Sequence, residues 1–99
     1  MDEDVHLELL PDELRHLAPL IQRYAESDDV KRGELLERAS DAELAELFAA
    51  PAGQWPAINA FLDEHAAGTP GPLQDVALAL DSFAQAALEA RFVLDARNA

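Results

Sequence analysis

Apolar residues recur at intervals of three and four along the last third of the chain. Leu73, Val76, Ala77, Leu80, Phe83, Ala84, Ala87 and Leu94 keep helical period, with Leu88 and Phe92 beside that stripe and Leu78 and Val93 widening it. A period near 3.6 marks an amphipathic helix. Pro72 suits the first helical position, where its missing N–H would have no partner anyway. The pattern predicts one long helix over 72–97. So wide an apolar surface places that helix centrally in the fold or against another chain.

Shorter helical segments precede it. Over 11–26, Leu14, Leu17, Ala18, Ile21, Tyr24 and Ala25 share a face, opened by Pro11 with Asp12 and Glu13 at the positive helix end. Pro19 removes a helix hydrogen bond and clashes with the preceding turn, so this stretch is either one kinked helix or two short ones meeting at Ala18-Pro19. Ser27-Asp28-Asp29 reads as a turn and N-cap cluster. A helix over 30–39 follows, with Val30, Leu35, Leu36 and Ala39 facing inward and Gly33 weakening it. Ser40-Asp41-Ala42-Glu43 matches the capping box, in which Ser and Glu satisfy free backbone donors reciprocally. It predicts a helix over 41–50 carrying Leu44, Leu47 and Phe48, closed by Pro51-Ala52-Gly53. Trp55-Pro56 opens a further helix with Ile58, Phe61, Leu62 and His65 on one face and Gly68 as its C-terminal cap. At the start, Val5, Leu7 and Leu9 alternate with His6 and Glu8. This is a strand-like pattern without a second strand to pair with, so 1–9 reads as an extended or loosely helical, flexible acidic lead-in.

At 99 residues the chain is expected to form a single domain over 1–99. The predicted fold is all-α: about five helices in a small orthogonal bundle, or two packed helical hairpins (a HEAT-like or armadillo-like pair is one form), plus the long C-terminal helix.

Charge adds a second layer. The formal net charge is -13, and it is segregated. Residues 1–14 hold six carboxylates and no Lys or Arg, 15–38 balance five acids with five bases, and 39–90 contain eight acids and no base. Such a surface repels nucleic-acid phosphates and anionic lipid headgroups, so neither nucleic acid nor membrane is an expected partner. No apolar run approaches the roughly 20 residues of a membrane span. Met1-Asp2-Glu3-Asp4 is acidic where a signal peptide would be basic. A cytoplasmic location is expected, and an Arg-over-Lys, alanine-rich composition suggests a bacterial source.

Candidate chemistry is sparse. The chain has no cysteine, which excludes disulfides, thiolate metal sites and thiol nucleophiles. The three histidines, His6, His16 and His65, lack the mutual spacing of a metal site. His16 reads as a solvent-facing partner of Asp12, and His65 as a residue at a helix C-terminus favoured by the dipole. Glu43 with Glu46, and Glu37 with Asp41, read as solvated carboxylates on polar faces. Ser27 and Ser40 read as caps, and Ser82 lies in no nucleophile-elbow motif. No catalytic residue, cofactor or metal is expected. The leading reading is therefore a non-enzymatic, acidic helical interaction module, of the immunity, antitoxin, adaptor or regulator kind. It would bind a protein with a basic surface or self-associate through the C-terminal helix. The alternative is a helical pocket for a small apolar or aromatic ligand near Trp55, Phe61 and Phe83. Trp55, Tyr24, Phe61 and Phe92 are the candidate partner or ligand contacts.

Overall fold

The computed structural model describes residues 7–25 and 29–99, and among them there is no strand. Two 3₁₀ segments, Leu7–Leu9 and Asp12–Leu17, precede five α-helices. These are α1 (Ala18–Tyr24), α2 (Asp29–Arg38), α3 (Asp41–Ala49), α4 (Trp55–His65) and α5 (Pro72–Arg97). The all-α class and the long C-terminal helix follow the periodicity. The Ser27-Asp28 part of the expected N-cap cluster, and residues 1–6 of the lead-in with His6, lie outside the described residues.

Proline decides the path through 11–26. The segment splits in two, as one of the expected alternatives has it, and its first part is a 3₁₀ helix. Ala18 N–H bonds to the Arg15 carbonyl, three residues back. Pro19 has no N–H to donate and stands in the first turn of α1, so the α-helix begins there afresh. The Leu7–Leu9 segment is likewise a 3₁₀ turn rather than extended.

The capping box forms in full. Glu43 N–H donates to Ser40 Oγ at 3.1 Å, and Ser40 N–H donates to Glu43 Oε1 at 2.8 Å. These bonds from Ser40, its backbone N–H foremost, hold the Glu43 carboxyl below its ordinary pKa. After α3 the chain turns at Gly53, whose φ of 80° lies in the left-handed region that a side chain would strain.

A 26-residue helix is about 39 Å long, nearly the longest dimension of the molecule, 43 Å. α1, α2, α3 and α4 all pack on α5, and α3 does so most extensively. Phe83, Leu80 and Val76 of α5 are fully enclosed, together with Leu14, Leu17, Ile21, Leu36, Leu44 and Ile58 from the surrounding segments. Ala77, Ala79, Ala84, Ala86, Ala87 and Ala90 of α5 are buried as well. Their small side chains let neighbouring helices come close on several sides of one axis. Leu73, on the inward stripe of α5 by its spacing, is exposed instead, in the first turn of the helix.

The inward face of α2 differs from the expected one. Val30 is 72% exposed, and Arg32 is the buried residue, at 6%. At about 100° per residue Val30 stands about 120° from Leu36, so it cannot share Leu36's inward face. Arg32 lies within about 40° of Leu36 and reaches α5, where its Nη2 meets Glu89 Oε2 at 3.0 Å. A second long-range link closes the bundle at the end of α5. Arg97 donates to the carbonyls of Ala39 (2.8 Å), Glu37 (2.9 Å) and Leu36 (3.4 Å) and to Asp41 Oδ1 (3.0 Å). It thereby ties down the carbonyls at the C-terminus of α2, sharing that of Leu36 with the Ala39 N–H. Gln74, at the other end of α5, caps α4 through the carbonyls of Ala66 and Gly68.

Candidate functional site

The links just described consume much of the polar inventory. Arg15 bonds the Leu10 and Glu8 carbonyls and lies 3.3 Å from Asp12. Asp12 thus pairs with Arg15, and His16 is exposed beside it. Asp41, Glu43 and Glu89, three carboxylates of the cation-free span, are bound by Arg97, Ser40 and Arg32. The span lacks cations in sequence, yet long-range arginines neutralise part of it in the fold.

The four aromatic candidates part company. Phe61 is buried, with its ring 4.6 Å from that of His65 at 56°. Trp55 is partly buried and packs against the core from the start of α4. Phe83, named with them for a ligand pocket, is wholly enclosed. Tyr24 is buried at the edge of a shallow hollow of about 220 Å³ lined also by Arg23, Leu35, Arg38, Ala39 and Glu43. Burial pushes the Tyr24 phenol above its ordinary pKa, against an opposing pull from Arg23. Glu43 is shifted the opposite way, toward the charged form. Neither group exchanges protons near neutral pH, where general acid–base chemistry needs a titrating partner.

Phe92 is the outlier. It is 74% exposed, near the C-terminal end of α5. Leu88, one turn earlier, is 49% exposed, and Phe48 of α3 beside them is 37% exposed. These three, with Arg91 and Asp95, line an open hollow of about 380 Å³. The Arg91 guanidinium lies 5.3 Å from the centroid of the Phe48 ring, within cation–π range. Its Nε is 3.7 Å from Asp95 Oδ2, one turn further along α5. Leu78, 50% exposed, continues the same outer face toward the N-terminus of α5, with Asp81 and Gln85 between, joined to each other by a hydrogen bond. Sequence periodicity placed Phe92 and Leu88 beside the inward stripe. It could not place Phe48 next to them, because that adjacency depends on how α3 crosses α5.

Among the described residues no group of three or more His, Asp or Glu side chains could hold a metal, and no buried side-chain polar atom lacks a hydrogen-bond partner. No described helix is long and apolar enough to cross a membrane. The molecule is thus an all-α bundle with a hollow between α3 and α5 lined by Phe48, Leu88 and Phe92 together with Arg91 and Asp95. Comparison with protein-family models, with curated proteins and with solved structures finds no match.

Proposed function

We propose that the chain is a non-enzymatic interaction module that docks another polypeptide on the outer face of α3 and α5. The observation that carries this reading is the grouping of Phe92, Leu88 and Phe48 around one open hollow. Single exposed apolar residues are ordinary, but contiguous exposed apolar surface marks interaction sites. Aromatic and Arg side chains, here Phe48, Phe92 and Arg91, are the enriched types at such surfaces. The acidic remainder of the molecule disfavours nucleic acid and anionic lipid as the occupant, and the reading is of a protein partner in a cytoplasmic role.

The test is a photo-crosslinking residue placed at position 92 and, as control, at Val30, which is equally exposed on α2. Expressed in cells of the source, the probe at 92 yields discrete polypeptide adducts that the probe at 30 does not. Equal, diffuse labelling from both positions refutes the reading.

A further inference from the structure

We infer that the occupant of the α3–α5 face is a second copy of this chain, bound antiparallel about a two-fold axis. The inference rests on the docking-surface reading above and names its partner.

The charges around the hollow carry it. The lining holds one cation and one anion, Arg91 and Asp95, set one turn apart on the outer face of α5. A basic partner would seek a surface of one sign; this one is neutral in sum and carries its own complement. In a two-fold interface the same patch meets itself, so each contact occurs twice with roles exchanged. An axis crossing the two α5 helices near the level of Val93 sets Arg91 of each chain against Asp95 of the other. The same placement brings the two Phe92 rings together at the centre, next to the Arg91 and Asp95 pairs. The apolar centre with a charged pair at its edge is the usual anatomy of a protein interface.

The net charge of -13 on each copy opposes this association. That opposition is long-ranged and therefore screened, with a Debye length of about 8 Å at physiological ionic strength. The apolar contacts of Phe92, Leu88 and Phe48 are not screened and survive, while the exposed Arg91 and Asp95 pairs lose only a little. Self-association consequently tightens as salt rises, opposite in sign to docking of a basic partner, which salt weakens. The patch is small, so the expected dissociation constant is on the order of 10 µM at physiological salt.

The experiment is sedimentation equilibrium of the purified chain and four surface variants. Phe92→Asp is expected to weaken dimerisation at least about 30-fold, as loss of a central anchor does. Arg91→Asp and Asp95→Arg each weaken it about tenfold, because symmetry counts each like-charge contact twice. The double variant R91D/D95R restores dimerisation to within about threefold of the wild type, since the exchanged pairs face each other again. Asp95→Arg is the sharpest arm. It moves the net charge two units toward zero, so general repulsion alone would tighten association, whereas the paired geometry weakens it. Tightening in D95R, or a wild-type chain that stays monomeric to about 100 µM, overturns the inference. Foreign adducts from the probe at position 92 would then leave the docking surface standing with a different occupant, and their absence would remove both.

Discussion

Arg97 joins the end of the last helix to the junction between α2 and α3, and its replacement tests how the bundle is closed. Its guanidinium makes four hydrogen bonds, three of them to backbone carbonyls at the end of α2. The bond to Leu36, at 3.4 Å, is the weakest by length. The two short carbonyl bonds contribute about 0.5–1.5 kcal/mol each, net of water. The pair with Asp41 is partly exposed, with side-chain accessibilities of 31% and 61%, so it adds only about 0.5 kcal/mol after screening. Arg97→Met keeps most of the apolar stem and removes every donor. The expected loss is about 2 kcal/mol, which for a domain of this size lowers Tm by about 8–16 °C. Arg97→Lys keeps the charge but cannot span carbonyls and carboxylate with a planar fork, so it recovers less than half of the loss. Thermal unfolding followed by circular dichroism gives both numbers. Amide exchange over 36–41 should accelerate in the Met variant beyond the global change, because that is where the carbonyl caps are lost. A Met variant within about 0.5 kcal/mol of wild type, the usual range for inert surface positions, or a Lys variant equal to wild type, would refute the assignment of Arg97 as a clamp.

Three further outcomes follow from other parts of the fold. Gly33→Ala should raise stability by about 1 kcal/mol, because a Cβ there meets nothing within 4 Å and glycine costs helix propensity mid-helix; a drop in Tm would contradict that account. Leu36→Ala should cost about 2–5 kcal/mol while Val30→Lys stays within about 0.5 kcal/mol, and equal effects in chemical denaturation would overturn the α2 register. The single tyrosine makes phenolate absorbance a clean probe: Tyr24 should ionise above 10.0, since burial favours its neutral form. A folded pKa raised above the unfolded one gives stability present at lower pH and lost as pH rises through the folded value. Alkali above about pH 10 should therefore destabilise the wild type more than Tyr24→Phe, and identical alkaline profiles would contradict it.

Local signals in the sequence were those whose partners lie within one turn. Ser40 and Glu43 announce their capping box because both donors and both acceptors sit within four residues. Pro72 and Pro56 mark helix starts, and Pro19 marks the restart of α1, because a missing N–H acts on the nearest turn. Val30 is apolar yet faces outward, because its angular position on α2 sets it away from Leu36; Arg32, polar and inward, carries no local mark of its partner 57 residues away. The same holds for Arg97, whose carbonyl partners lie 58 to 61 residues back. The buried alanines Ala79, Ala86 and Ala90 are silent in a periodicity reading, since alanine is at home on either face of a helix. Of the candidate surface, Phe92 was legible as an apolar residue off the main stripe, while its grouping with Phe48 depends on the α3–α5 crossing and has no signature along the chain.

What meets the outer face of α5 is read most directly by the salt dependence of association. Sedimentation equilibrium of the wild-type chain, at about 20 mM and about 500 mM salt, spans Debye lengths from well beyond to well within the contact distance. A monomer–dimer equilibrium that tightens at high salt and disappears in Phe92→Asp is the predicted result. A chain that remains monomeric under both conditions, or whose association weakens with salt, or whose dimer survives Phe92→Asp, contradicts it.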